Sequence, residues 1–182
     1  VAPRADGKGV IGWTGSLTSV THLRRALPML EEVQRSLGGD VILRVISDRP
    51  LEAPGIQVEN VRWNAATEAE DLAAIDIGIM PMPDDEWSRG KCGFKGLQYM
   101  GMGKAVVLSP VGVNNTIVQD GVNGLLAATD AEWKEKLARL VADADLRRRL
   151  GSAARRTVEE KYSTIAWRDR YLALFNELTR TK

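Results

Sequence analysis

The sequence predicts an α/β domain, a parallel sheet of about six strands with helices on both faces and further helices closing the chain. Three observations predict it. Short apolar runs recur along the 182 residues. Segments with apolar residues spaced by threes and fours separate these runs, and Gly, Ser, Asp or Pro stops the runs where strands should end. The strand candidates are apolar on both sides of their alternation, as a sheet buried on both faces requires. With 44% hydrophobic and 27% charged residues, the composition is that of a globular domain. The length suits one domain with a real core.

Val10-Ile11-Gly12-Trp13 is the first strand, stopped at Thr14-Gly15-Ser16. Val20, Leu23, Leu27, Leu30, Val33 and Leu37 then mark an amphipathic helix that ends at Gly38-Gly39. Val41 to Ile46 is the second strand, stopped by Ser47-Asp48-Arg49-Pro50. Ile56 to Trp63 alternates, which suits a third strand nearer an edge. Thr67-Glu68-Ala69-Glu70 fits a capping box, opening a short helix through Leu72. Ile75 to Met80 is the fourth strand, broken by Pro81 and Pro83.

Phe94 to Met102 reads as a helix closed by Gly103, and Ala105 to Leu108 as the fifth strand. A short helix, Asn115 to Gln119, leads to a Gly-rich turn and a last strand, Leu125 to Ala127. The rest is helical. Trp133, Leu137, Leu140 and Val141 share a face, Leu146 to Tyr162 is highly charged, and Trp167, Tyr171, Leu174, Phe175 and Leu178 form a last apolar stripe. Residues 1–9 begin without methionine and read as an inter-domain linker to a domain over 10–182.

Lys and Arg (25) nearly cancel Asp and Glu (24), leaving a formal charge of +1. That balance argues against a nucleic-acid partner. Cys92 is the single cysteine, which suits a reducing compartment. No apolar run approaches the roughly 20 residues of a membrane span. The expected location is cytoplasmic, with peripheral contact at the inner face of a membrane as an option through the Arg-rich stretch Arg147 to Arg156.

Right-handed crossovers place every strand-to-helix loop on one edge of such a sheet, where ligands bind. The loops to inspect are therefore Thr14 to Thr21, Ser47 to Gly55, Asn64 to Ala66, Pro81 to Lys95 and Ser109 to Asn115. Pro81 to Lys95 is the richest and is long for a connection in a compact domain. It brings Arg89, Lys91 and Lys95 to the start of a helix, where unpaired N–H groups and the helix dipole favour an anion. Lys95 on a first helical turn asks for a counter-charge, either a ligand phosphate or the acids Asp84, Asp85 and Glu86.

Thr14-Gly15-Ser16 could offer N–H groups to a phosphate or could simply turn the chain, and Val111 to Asn115 divides the same way between pocket lining and helix cap. The acid run lacks the additional oxygen ligands a hard cation needs, so no metal is expected. His22, the one histidine, reads as a surface residue in a first helical turn, with a Cys92–His22 nucleophilic pair the lesser alternative.

Phe94-Lys95-Gly96-Leu97-Gln98-Tyr99-Met100-Gly101-Met102-Gly103-Lys104-Ala105-Val106-Val107 resembles the helix-Gly-Lys-Pro-Val-Val segment of group 1 (family 4) glycosyltransferases, with Ala105 at the usual proline. Ser109 to Val113 and Ile117 to Leu126, with its Gly-Val-Asn-Gly, continue the likeness. The resemblance is to the C-terminal domain of that GT-B fold, whose sheet is Rossmann-like. It implies a hexosyltransferase-type enzyme that moves a sugar, with retention, from a nucleoside diphosphate sugar to an acceptor hydroxyl. It implies no cofactor and no required metal. It also implies that the last helix, about 164–179, packs on an N-terminal domain that this chain lacks, so that the chain alone would be inactive.

The family usually carries two glutamates, one on the donor sugar and one on the ribose, and here Gly90 and Gln98 stand in their places. Asp85 or Glu86 could substitute for the first, and Gln98 could keep a weaker ribose bond. The family's usual Arg and Lys for the diphosphate have no match in Thr14 to Thr21, so Lys91 and Lys95 are expected to take that charge, and they are the candidates for a catalytic contribution. Gly15, Ser16 and Phe94 would support the diphosphate, and Trp63 or the loop after the second strand would border the base. Two other classes stay open: a non-catalytic nucleotide-binding or regulatory module, favoured by the missing glutamates, and a sugar-nucleotide epimerase domain.

Overall fold

The structure, a computed structural model, describes residues 9–180, so the linker expected at the N-terminus lies outside the described residues apart from Gly9. Gly9 already belongs to the first strand. The first half alternates as expected: β1 (Gly9–Thr14), α1 (Val20–Ser36), β2 (Val41–Ser47), β3 (Val58–Arg62), α2 (Glu68–Ala73) and β4 (Ile77–Met80). The second half runs α3 (Glu86–Arg89), α4 (Phe94–Gly101), β5 (Ala105–Leu108), α5 (Asn114–Ile117) and β6 (Leu125–Leu126). Three helices close the chain: α6 (Asp130–Ala142), α7 (Ala144–Lys161) and α8 (Thr164–Arg180).

The six strands form one parallel sheet in the order β3-β2-β1-β4-β5-β6. β3 is at an edge, and its mixed burial follows from that place. Strand alternation sends side chains to two separate apolar layers. Ile11 and Trp13 of β1 and Ala105 and Val107 of β5 join the layer containing Leu23 and Leu30 of α1 and Trp133 and Leu137 of α6. Val106 and Leu108 of β5 join the opposite layer, with Leu72 of α2 and Tyr99 and Met100 of α4. Helices therefore cover both faces. Among the described residues, no helix is long and apolar enough to cross a membrane.

Two local expectations are corrected. The capping box at Thr67 does not form: Thr67 has helical dihedrals rather than the extended ones of a capping residue, and its hydroxyl bonds the Asp71 carboxylate at 2.9 Å. The long Pro81–Lys95 connection contains a one-turn helix, α3, capped by Asp85, whose carboxylate accepts the Ser88 N–H at 2.8 Å. The motif residues after α4 have structural tasks. Lys104 Nζ donates to the Ala73 carbonyl at the end of α2 (2.6 Å). Asn123 accepts the Gln119 N–H (2.7 Å) and donates to the Ile117 carbonyl (3.1 Å), closing the Gly-rich turn.

Candidate functional site

Strand order reverses between β1 and β4, and the crevice that such a reversal opens lies beyond the carboxyl ends of the strands. A cleft of about 360 Å³ occupies that place, lined by Thr14, Gly15 and Ser16 after β1, Asp48 after β2, Trp63 after β3, Glu68 on α2, and Phe94, Lys95 and Gln98 on α4. Its size falls within the range of small-molecule sites. Six of the residues singled out from sequence, Gly15, Ser16, Trp63, Phe94, Lys95 and Gln98, thus line one cavity. Asp48 and Glu68 complete it and were not singled out.

The floor is α4. Its N-terminal residue Gly93 adopts φ +69°, and no side chain caps the helix. The first-turn N–H groups of an α-helix have no partner within the helix, so they are left for a ligand. Phe94, Lys95 and Gln98 lie on the outer face of α4, while Gly96, Tyr99 and Met100 are buried against the sheet. Gly78 on β4 is what lets Tyr99 approach: a Cβ there would lie 2.3 Å from the ring. The Tyr99 hydroxyl in turn accepts the Thr14 N–H at 2.8 Å, fixing the end of β1 to α4. Burial pushes the Tyr99 pKa up, so the group is a neutral structural anchor.

Lys95 extends its ammonium over the buried Trp13 ring, 5.6 Å from the centroid. Among the described residues it has no ion-pair partner. Of the three acids proposed as its counter-charge, Asp84 pairs with Arg89 at 2.7 Å, Asp85 caps α3, and Glu86 lines a different hollow without pairing Lys95. Burial, with Lys91 adding to it, lowers the Lys95 pKa. An ammonium held in partial burial without a carboxylate is poised for a ligand anion.

The N–H groups after β1 are not available as expected. Gly15 N–H donates to the Ile46 carbonyl (3.0 Å) and Ser16 N–H to Ser19 Oγ (3.1 Å). The Thr14-Gly15-Ser16 turn shapes the wall and does not present backbone donors. Val111 to Asn115 likewise serves as a brace: the Asn114 amide donates to the Ser109 carbonyl and the Asn115 amide to the Pro110 carbonyl, each at 2.9 Å.

Glu86 and Lys91 line a neighbouring concavity of about 450 Å³ with Trp87 and Gly90. Lys91 Nζ is 5.7 Å from the centroid of the exposed Trp87 ring. Asp85 lines neither hollow. His22 is half-buried, with Nδ1 shielded and without a hydrogen bond. Burial, and then Lys91, lower its pKa, so it is neutral at pH 7. Cys92 is exposed and no hydrogen bond joins it to His22. Among the described residues, no three His, Cys, Asp or Glu side chains gather as metal ligands would.

Elsewhere in the cleft, one carboxylate oxygen joins α2, α4 and the segment after β3. Glu68 Oε1 accepts the Trp63 indole N–H at 3.0 Å and the Gln98 amide N–H at 3.1 Å. The two bonds fix the half-exposed indole at the rim and tie α2 to α4.

The profile of the glycosyl transferases group 1 family matches residues 8–143. Comparison with curated protein sequences finds no match. Among solved structures, the C-terminal domain of the glycosyl transferase group 1 family protein LpcC from Francisella tularensis superposes with TM-score 0.69 at 20% identity, covering 86% of this chain and 87% of that one. TarM of S. aureus, solved with fondaparinux, α-GlcNAc-glycerol and UDP, superposes with TM-score 0.75 at 19% identity, covering 93% of this chain and 36% of that one. Anabaena HepE, in complex with UDP and glucose, gives TM-score 0.75 at 16% identity, covering 94% of this chain and 49% of that one. The chain thus matches a C-terminal domain almost whole and spans half or less of the longer structures. The α/β Rossmann-like fold is that of GT-B C-terminal domains.

Proposed function

Because the chain belongs to the group 1 glycosyl transferases, we propose that it is the donor-binding domain of a retaining enzyme that moves a sugar from a nucleoside diphosphate sugar to an acceptor hydroxyl. The observation that carries this reading is Lys95, a partly buried ammonium with no carboxylate partner, on the first turn of an uncapped helix at the floor of a cleft of about 360 Å³. A diphosphate meets both demands, supplying the missing charge and accepting the helix N–H groups.

In the transfer, the bond from the anomeric carbon to the diphosphate oxygen breaks while the acceptor oxygen bonds that carbon and gives up its proton. Charge collects on the departing diphosphate. Lys95 and the α4 N–H groups are aimed at that charge and stabilise it more than the ground state. Lys91, 5.7 Å from the Trp87 centroid in the next hollow, supplies further positive charge to the same ligand in this scheme. Glu86, which lines the same hollow as Gly90, is the carboxylate that stands in for the one absent at position 90 in this scheme. No metal or cofactor enters this scheme. The residues that bind the acceptor belong to an N-terminal half, against which α8 packs, so the chain alone binds donor and turns nothing over. The single cysteine, exposed Cys92, suits a cytoplasmic enzyme.

Calorimetric titration with UDP, GDP and a matching nucleotide sugar tests this. Binding that weakens at least tenfold in Lys95→Ala, about 1.4 kcal/mol, supports the reading, and a smaller loss is expected for Lys91→Ala. If neither diphosphate binds at millimolar concentration, to this chain or to one extended by its N-terminal half, the donor-binding reading is wrong.

A further inference from the structure

The carboxylate that a ribose-binding wall needs is absent from α4, where Gln98 stands, but one is present in the cleft on a different element. We infer that Glu68, on the first turn of α2, supplies that carboxylate, and that its Oε2 accepts from the vicinal diol of the nucleoside. The inference rests on the donor-binding reading above and deepens it by naming the group that selects a ribonucleotide.

A carboxylate only accepts, so the Gln98 atom facing Glu68 Oε1 at 3.1 Å must be the amide nitrogen. The Gln98 carbonyl oxygen is therefore directed away from Glu68. The Trp63 indole N–H takes the same Oε1 at 3.0 Å. Among the described residues, neither Glu68 Oε2 nor Gln98 Oε1 has a hydrogen-bond partner, and no cation pairs with Glu68. Both residues line the cleft that holds Lys95. The wall therefore offers the cleft a carboxylate oxygen held in place by two donors to its neighbour. A ligand that suits it brings hydroxyl donors, as the 2′- and 3′-hydroxyls of a ribose do.

Two N–H donors on Oε1 hold the carboxylate in place, leaving Oε2 oriented before a ligand arrives.

Glu68→Gln is the discriminating variant. Trp63 and Gln98 each present an N–H to residue 68, so the new side chain must keep its oxygen toward them and turn its NH₂ toward the ligand. The acceptor becomes a donor while the wall keeps its shape. The experiment compares affinities for UDP, or GDP if that is the diphosphate that binds, with those for its 2′-deoxy counterpart. We expect the unaltered chain to prefer the ribonucleotide by about tenfold or more. That preference should fall below about threefold in Glu68→Gln, and Lys95→Ala should weaken both ligands with the preference retained. If Glu68→Gln keeps the preference, or weakens both ligands equally, the assignment of Glu68 is overturned while the donor-binding reading stands. If the unaltered chain binds no nucleoside diphosphate, both fall together.

Discussion

Lys95 holds its ammonium above an indole and away from any carboxylate, and that placement has a measurable consequence for stability. Burial lowers its pKa in the folded chain, whereas in the unfolded chain the group is solvated and titrates normally. As pH rises the folded state loses this proton first. Between the lowered folded value and the ordinary unfolded one the unfolded chain binds more protons, so this group's contribution makes stability rise with pH in that window. Below it, the cost of the buried charge is constant. Lys95→Met keeps the stem and removes the charge. It is expected to raise Tm at pH 7 by roughly 1–4 °C while weakening diphosphate binding at least tenfold; a lower Tm in calorimetry would mean that the charge stabilises the free domain. Diphosphate affinity should fall as pH rises through the lowered Lys95 value. Lys95 was legible in the sequence because a cation on a first helical turn is out of place. Glu68 was not, because its role depends on Gln98, thirty positions away.

At the scale of elements, the site depends on where α4 begins. Gly93 sets that point, with φ +69° and space so tight that a Cβ would lie 2.5 Å from Ile117 Cδ1 on α5. Gly93→Ala combines left-handed strain with a clash and is expected to cost about 2–4 kcal/mol, seen as a lower urea midpoint with an unchanged slope. Gly90→Ala, three residues earlier, makes only an ordinary contact 3.6 Å from the Trp87 carbonyl, so its cost should stay within about 0.5 kcal/mol. Equal effects would show that α4 does not start on Gly93. The strands and long helices were legible because burial on both faces imposes a period, and β5 appears at the bounds the sequence predicts, Ala105–Leu108. α3 escaped because one turn of helix has no period to read. Its capping Asp85 looked like a loop charge free to meet Lys95.

For the molecule as a whole, α8 is the element whose sequence and surroundings disagree. It runs seventeen residues without burying one, yet carries Ile165, Trp167, Tyr171, Leu172, Leu174, Phe175 and Leu178 on its exposed surface, Phe175 at 60% and Leu178 at 62%. An apolar face of that extent in water marks a contact surface. Its ties to the domain are local: it follows α7 directly, and the Trp167 indole N–H donates to the Lys161 carbonyl at 2.6 Å. A chain ending at Ser163 should therefore keep its sheet and both apolar layers, with Tm within about 2 °C of the longer chain. In the isolated chain the α8 amides should exchange with solvent far faster than those of β1, β4 and β5, because little packing opposes local opening. In a chain extended by the proposed N-terminal half, the same amides should become protected. Protection in the isolated chain at high dilution would instead mean that α8 is stable without a partner, and the apolar stripe would then have to be explained by something other than the second domain. Protection only at high concentration would point to self-association through the same face. The extended chain discriminates among these outcomes because an intramolecular contact is independent of protein concentration.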